Sequence, residues 1–243
     1  MFDPTVTDTV GRFDGLADLY DRYRPDYPEA AVAYLLARCR LKAGCRLVDV
    51  GCGTGISSRQ FAGVGLHVVG IEPNDDMRRQ AEQIVVPANV IPPEYRTGRA
   101  EATGLPDACT DAVLAAQAFH WFHAEPAMLE FLRILKPGGC LALIWNERDR
   151  CDPFTREYGQ ILGRYSTSVC ADSSQSDCGE HLLHSSHYTD RERAEFAHCQ
   201  QLDFDSLLGR CFSTSFDARA AGARMLDERF ARVIRSLSSS RQN

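Results

Sequence analysis

The sequence lacks any apolar run that approaches the roughly 20 residues needed to cross a bilayer. Its opening residues, Met-Phe-Asp-Pro, include an acidic side chain at the third position and contain no apolar core of the kind that a secretory signal needs. We therefore expect a cytoplasmic protein that is neither exported nor inserted into a membrane.

A surplus of positive charge is also lacking. The 243 residues carry a formal net charge of -6, whereas broad binding to phosphate backbones needs clustered lysine and arginine. Nucleic acid is therefore not expected as a partner. The hydrophobic fraction of 44% is ordinary for a globular protein, and the length suits one sizeable domain.

No Cys-x-x-Cys pair occurs, although the chain has ten cysteines. Scattered cysteines without metal-ligand spacing predict reduced thiols in a cytosolic protein. His181, His184 and His187 recur at every third residue, but no cysteine or glutamate accompanies them in a ligand pattern. We expect a solvated loop there and no metal site.

The middle of the chain alternates short β-branched apolar runs with segments of helical period. This pattern is typical of parallel strands joined by crossover helices. Strands are predicted at Arg46–Val50, His67–Glu72, Tyr95–Gly98, Asp111–Ala116 and Cys140–Asn146, and helices at Pro28–Arg40, Ile56–Ala62, Asp75–Gln83 and Pro126–Leu135. The predicted fold class is α/β, a Rossmann-like, open, mostly parallel sheet with helices on both faces.

The region after the core has a weaker pattern. Tyr165–Tyr188 is rich in serine, histidine and aspartate without apolar period, which predicts a long polar loop. A strand is predicted at Phe196–Phe204 and a helix at about Arg219–Leu237.

Three alternating glycines, Gly51, Gly53 and Gly55, follow the first strand directly. Glycine lets backbone turn sharply and approach a ligand closely, so a ligand is expected at this edge of the sheet. A nicotinamide dinucleotide would need a third glycine where Ile56 stands. Glu72 ends the second strand, where a carboxylate can accept hydrogen bonds from the ribose hydroxyls of an adenosine cofactor.

Several further segments extend the pattern and carry a family resemblance. They are the segment from Val48 to Gly55, Gly70–Met77, Ala100–Pro106, Gln117–Phe122 and Arg133–Gly139. In this order they resemble the class I S-adenosylmethionine-dependent methyltransferases, in particular the small-molecule (type 11) group with the ubiquinone-biosynthesis and trans-aconitate enzymes. The resemblance covers about Phe13 to Glu147 strongly and the remainder weakly.

The resemblance implies S-adenosyl-L-methionine as cofactor and assigns residues to it. The glycine loop would wrap its methionine part, Asp49 would hold its amino group, and Glu72 would hold its ribose. The other implied contacts are Pro73 and Met77 beside the adenine, Ala100 and Glu101 at its edge, Gln117 beside the sulfonium, and Tyr20 and Arg24 over the methionine carboxylate.

The acceptor is expected to be a small organic molecule, with oxygen slightly favoured as the acceptor atom. The Asn/Asp-Pro-Pro-Tyr motif of amino-methylating nucleic-acid enzymes is absent, and Gln117-Ala118-Phe119-His120 stands in its place. His120 is the candidate general base, because it follows the fourth strand. The alternative is that His120 only shapes the pocket.

The expected organisation is a single methyltransferase domain over 1–243, with a helical cap at 1–40, a cofactor-binding core at 41–150 and a substrate-side part at 151–243 that includes the polar loop 165–188. Members of the resembled family usually finish the sheet with an antiparallel hairpin, but no β-branched run follows Leu237. The hairpin is therefore expected to be incomplete, and an open sheet edge could pair with a second copy. Two alternatives stay open, namely a cofactor-binding protein with reduced or lost turnover and an NAD-dependent oxidoreductase.

Overall fold

The computed structural model describes residues 11–165 and 178–213. These residues fall into two compact units. The first comprises 11–17, 26–146 and 178–198, and the second comprises 18–25, 147–165 and 199–213. The helix expected at Arg219–Leu237 lies outside the described residues. No helix in the described ranges is long and apolar enough to cross a membrane.

The first unit contains a five-stranded parallel sheet in the order β3-β2-β1-β4-β5. Its strands are β1 Arg46–Val50, β2 His67–Ile71, β3 Glu94–Arg96, β4 Thr110–Ala116 and β5 Leu135–Ile144. The helices of the described chain are α1 Ala17–Tyr23, α2 Glu29–Arg38, α3 Ile56–Gly63, α4 Asp75–Gln83, α5 Ala124–Ile134, α6 Pro153–Tyr165, α7 Glu180–His184 and α8 Phe204–Phe212, with short 3-10 turns at Gly11–Phe13 and Phe119–Trp121. The predicted Rossmann-like α/β class is confirmed.

Apolar layers cover both faces of the sheet. In β4, Val113 and Ala115 join one buried cluster, while Ala112 and Leu114 join the other. Successive side chains of a strand point to opposite faces, so each face has its own core. Phe131 of α5 fills the first cluster and Phe61 of α3 fills the second. Strands buried on both faces are apolar at nearly every position, as the sequence of β4 is.

β5 differs from its neighbours in pairing and burial. Among the described residues it pairs with β4 alone, and its positions Gly139–Ile144 are only half-buried. The strand begins at Leu135 rather than at Cys140, because Leu135 already pairs with Thr110 before a register shift. Lys136–Gly139, which lie between the predicted helix Pro126–Leu135 and the predicted strand Cys140–Asn146, are therefore within the bounds of β5.

Two expectations for the region after the core are wrong. Residues 191–203 contain neither helix nor strand, so the strand predicted at Phe196–Phe204 is not formed, and α8 begins at Phe204. A strand needs a hydrogen-bonding partner, and in the described part of the chain no strand pairs with this segment. Within the expected polar loop, α7 forms and Leu182 packs against the first apolar cluster.

The expectation of reduced thiols throughout is also wrong. Cys39 and Cys140 form a disulfide, with their Cα atoms 5.4 Å apart. Cys39 ends α2 and Cys140 lies in β5, and the apolar face of α2 packs against this side of the sheet. The two residues are 101 positions apart in sequence, so sequence spacing could not reveal the pair.

Candidate functional site

The carboxyl ends of β1 and β4 define a crevice in the sheet. β1 pairs with β2 on one side and with β4 on the other, so the chain reverses its direction of winding between β1 and β4. Open α/β sheets bind ligands at the carboxyl end of the strands beside such a switch point. The glycine loop predicted to bind a ligand follows β1 here.

The glycine loop adopts a conformation that only glycine takes without strain. Gly51, Gly53 and Gly55 have φ values of 69°, 56° and 79°, which lie in the left-handed region. A Cβ on Gly51 would stand 2.7 Å from the Cβ of Ala118, and one on Gly55 would collide with the hydroxyl of Tyr95. A Cβ on Gly53 would meet no atom within 4 Å. Gly53 therefore borders open space.

Asp49 lies at the base of the loop and is fully buried. Its Oδ2 accepts hydrogen bonds from the hydroxyls of Ser57 and Ser58 on α3, at 2.6 Å each, whereas its Oδ1 has no partner. The pKa of Asp49 is raised to about 6, because the effect of burial exceeds the opposing effect of the hydrogen bonds from Ser57 and Ser58. A buried acceptor without a donor is costly, so Oδ1 is suited to a ligand that donates a hydrogen bond or carries positive charge.

Glu72 connects the loop to the end of β2. Its Oε2 accepts from the backbone N–H of Gly53 and its Oε1 from that of Asn74, both at 2.9 Å. Burial raises the pKa of Glu72, while the hydrogen bonds from Asn74 and Gly53 oppose the shift. Each carboxylate oxygen can accept a further bond, which leaves capacity for ligand hydroxyls.

The start of α4 forms one wall beside Glu72. Asn74 caps the helix by accepting from the N–H of Met77 at 2.9 Å. Met77 is buried and Pro73 is half-buried. Pro73 and Met77 are the two residues that the resemblance places beside the adenine.

Sequence reasoning missed a short segment that contacts this wall. The Nδ2 of Asn74 donates to Asp14 Oδ1 at 2.8 Å, and the N–H of Gly15 donates to Asp76 at 3.3 Å. Phe13 meets Trp121 edge to face at 6.1 Å between ring centroids. Residues 13–15 thus contact both the start of α4 and the loop after β4. The only available signal was a polar and aromatic composition before the core.

Gln117 follows β4 in a strained conformation. Its φ of 55° is unusual for a residue with a side chain. Its N–H donates to the carbonyl of Ile144 at 2.8 Å, and its Nε2 donates to that of Asn146 at 2.9 Å. Strain of this kind persists where the surroundings impose it and is common at functional sites.

His120 lies in the next turn and is neutral at physiological pH. The Nε1–H of Trp145 donates to its Nδ1 at 3.3 Å, so the ring proton is placed on Nε2 because indole can only donate. Burial lowers the pKa of His120 to about 4. The imidazole is therefore a weak base whose free ring nitrogen is a donor.

The loop after β3 also reaches this turn. Ala100 is buried in the first apolar cluster, and Glu101 accepts a hydrogen bond from the backbone N–H of His123 at 2.9 Å. Tyr20 and Arg24 belong to the second unit, where the Arg24 guanidinium lies 4.8 Å from the centroid of the Tyr20 ring. Their expected role at the cofactor stays a prediction.

The fold, the glycine loop and the two buried carboxylates define the class of protein. Residues 48–143 match the family model of the methyltransferase domain, Methyltransf_11. Together with the relatives described below, this match supports a class I S-adenosylmethionine-dependent methyltransferase domain at residues 48–143, and it agrees with the resemblance found in the sequence.

Individual relatives support the same class. An uncharacterized methyltransferase of Mycobacterium tuberculosis (strain H37Rv) is 38% identical over 152 residues, which cover 63% of this chain and 59% of the relative. An S-adenosyl-L-methionine-dependent Diels-Alderase of Talaromyces variabilis is 36% identical over 120 residues, covering 47% and 40%. The chain spans about three fifths of the length of the first of these curated relatives.

A solved structure shares the fold over most of the chain. A protein from Anaeromyxobacter dehalogenans, described as a proposed type II methyltransferase, is 25% identical with a TM-score of 0.59. The likeness covers 88% of this chain and 89% of that one.

Proposed function

We propose that this protein transfers a methyl group from S-adenosylmethionine to a small organic acceptor. The observation that carries the proposal is the pair of buried carboxylates, Asp49 and Glu72, on either side of a glycine loop that borders open space. The family match over residues 48–143 supports it. The formal net charge of -6 disfavours a nucleic-acid acceptor.

The residues present suit the cofactor. Asp49 Oδ1, which lacks a donor, suits the ammonium group of the methionine part, and Glu72 has acceptor capacity for ribose hydroxyls. We assign the remaining implied contacts as the resemblance gives them, namely Tyr20, Arg24, Gly51, Gly53, Gly55, Pro73, Met77, Ala100, Glu101 and Gln117. The cofactor supplies an activated methyl group on a sulfonium for direct displacement, and the protein's part is to align the acceptor and exclude water.

The protonation state of His120 indicates which kind of methyl acceptor the site suits. A neutral imidazole with a pKa of about 4, whose Nδ1 already accepts from Trp145, is a weak general base. An acceptor that is already ionised, such as a carboxylate, needs no base. We therefore propose an acidic oxygen acceptor and a role for His120 as an Nε2–H donor that shapes the pocket.

The test begins with binding. Calorimetry with S-adenosylmethionine, S-adenosylhomocysteine and NAD should give saturable binding of the first two only. A Gly53→Val variant should stay folded and lose this binding, since its side chain would enter the open space. Gly138→Val is the matched control, because Gly138 has a φ of 76° and also has no atom within 4 Å of a built Cβ. Binding of NAD alone would refute the proposal.

Turnover is tested separately. Labelled methyl transfer from S-adenosylmethionine should be screened over small carboxylates, phenols, amines and carbon acids. We expect product with carboxylates or acidic phenols. Transfer only to amines would contradict the acceptor class and leave the cofactor assignment standing.

A second candidate is a cofactor-binding protein that transfers no methyl group. It is favoured by residues 191–203, which form no strand, and by β5, which has one partner among the described residues. The relative described as a Diels-Alderase depends on S-adenosylmethionine by its name. Tight binding of S-adenosylhomocysteine without transfer to any acceptor in the screen would favour this candidate.

A further inference from the structure

Three arginines lie on stretches of chain that contact one another within the second unit. They are Arg24 after α1, Arg148 before α6 and Arg210 in α8, and we call them the arginine cluster. Arg24 Nη2 donates to the carbonyl of Ser213 at 2.9 Å, directly after α8, and Cys211 of α8 hydrogen-bonds to Tyr158, whose ring lies under Arg148. Burial, together with the charges of Arg24 and Arg148, lowers the pKa of Arg210 to about 10. The three positive charges therefore repel one another.

No acidic side chain balances this charge within the described ranges. None of the three arginines forms an ion pair there, although Arg22 on the same helix segment pairs with Asp18 at 3.4 Å. Arg24 Nε and Arg210 Nη1 are buried and have no hydrogen-bond partner. Buried N–H donors without an acceptor are unfavourable. Among residues 11–165 and 178–213, the cluster thus has no counter-ion.

Aromatic rings hold two of the guanidinium groups in place. Arg24 lies over the ring of Tyr20 at 4.8 Å and Arg148 over that of Tyr158 at 5.9 Å. Tyr158 is itself stacked on Phe154 and receives a hydrogen bond from the thiol of Cys211 at 3.2 Å. A guanidinium stacked on a ring keeps its N–H donors in its own plane for other partners. Arg148 is exposed, so the cluster is open to solvent on that side.

We propose that the arginine cluster binds the dianionic group of a small molecule, either a phosphate monoester or a dicarboxylate. The planar guanidinium fork matches the oxygens of both groups. A single carboxylate would offset one of three positive charges, whereas a dianion offsets two. The site goes beyond the proposed methyl transfer in Arg148 and Arg210, which that proposal does not use, whereas Arg24 is also the residue proposed above for the methionine carboxylate.

The experiment uses the full chain with inorganic phosphate, malonate and acetate as probes at constant ionic strength. Calorimetry should show saturable binding of phosphate or malonate at least about tenfold tighter than that of acetate. Tighter binding of phosphate would indicate a phosphate monoester as the ligand, and tighter binding of malonate would indicate a dicarboxylate. Arg148→Gln and Arg210→Met should each weaken this binding at least about tenfold. Arg22→Gln, which removes the same charge from an exposed side chain, should leave it unchanged.

Thermal melting separates a ligand site from a structural role. Without added anion, Arg210→Met should melt at or above the temperature of the unaltered protein, because the substitution removes a half-buried, uncompensated charge whose Nη1 is buried without a partner. With phosphate or malonate, only the unaltered protein and Arg22→Gln should gain stability. If Arg210→Met does not fold, Arg148→Gln is the deciding variant, because Arg148 is exposed and its substitution should leave the fold intact.

Four results would overturn the proposal. They are the absence of saturable dianion binding, an equal loss of binding in Arg22→Gln, unchanged dianion binding in Arg148→Gln, and displacement of phosphate by S-adenosylhomocysteine. The last result would mean that the cluster holds the single carboxylate of the cofactor.

Discussion

Asp49 illustrates how one buried atom links the fold to the proposed chemistry. Its carboxylate uses one oxygen to fix the first turn of α3 and leaves the other without a donor. Its pKa is raised from 3.8 to about 6, so the folded protein holds this proton more tightly than the unfolded chain does. Ionisation of Asp49 therefore costs stability, and the cost grows as pH rises from about 3.8 to about 6.

Cofactor affinity should consequently rise with pH. A cationic amino group near Asp49 favours the ionised carboxylate, so binding should release a proton below a pKa of about 6. We expect S-adenosylhomocysteine to bind about tenfold more tightly at pH 7 than at pH 5. Calorimetry in buffers with different ionisation enthalpies measures both the affinity and the proton release.

The Asp49→Asn variant is the control for this prediction. It should bind more weakly, show no such pH dependence, and melt at a higher temperature than the unaltered protein at pH 7 in the absence of ligand. A steep pH dependence that survives in Asp49→Asn would assign the titration to another group.

Glu72 gives the second prediction for a single residue. Glu72→Ala should weaken S-adenosylmethionine binding by about 1.5–3 kcal/mol, because ribose hydroxyls lose a charged acceptor in a partly closed site. Glu94→Ala is a suitable control, since Glu94 is an exposed carboxylate at the start of β3 that pairs with Arg96. Equal affinity of Glu72→Ala and the unaltered protein would remove Glu72 from the site.

Among the structural elements, β5 is the least buried of the sheet's longer strands, and within residues 11–165 and 178–213 it pairs with β4 alone. Strands with an unpaired edge are templates for pairing with another chain. We propose that two copies associate through this edge. Light scattering over a range of protein concentrations should then reveal a dimer.

A charge on the edge should prevent this association. Ala142→Lys places a lysine on half-buried β5 and should yield a monomer, because edge lysines oppose strand pairing. Leu129→Lys, at an exposed apolar position on α5, should leave the dimer intact. If the unaltered protein is monomeric at every concentration, β5 is not an interface between copies.

On the scale of the whole molecule, the disulfide joins two parts of the chain that the sequence separates widely. Cys39 and Cys140 lie 101 positions apart. Closing a loop of this length restricts the unfolded chain, and such bonds typically contribute about 2–4 kcal/mol to stability. Reduction should therefore lower the melting temperature of the ligand-free protein.

Substitutions test the disulfide directly. Cys39→Ala should melt at a lower temperature than the unaltered protein and lose its sensitivity to reductant, whereas Cys151→Ala, which removes an exposed free thiol, should change neither property. Alkylation followed by mass spectrometry should modify Cys45 and spare Cys140 in the oxidised protein. Equal melting with and without reductant would contradict a stabilising bond.

The sequence alone determined the features that depend on local signals. The bounds of β1 and α4 agree with the prediction, because an apolar run after charged residues and an Asn cap followed by acids are readable in a short window. The alternation of three glycines after a strand predicted a sharp turn, and in the structure all three have positive φ angles. The family resemblance depended on the same short segments.

The tertiary structure decided whatever depends on partners distant in sequence. The segment Phe196–Phe204 has an apolar pattern that suits a strand, but backbone hydrogen bonds come from a neighbour that local pattern cannot supply. The bond between Cys39 and Cys140 and the contact of Phe13 with Trp121 exist only because the fold joins remote residues. For the same reason, only the packed structure shows that Asp49 Oδ1 is buried without a donor.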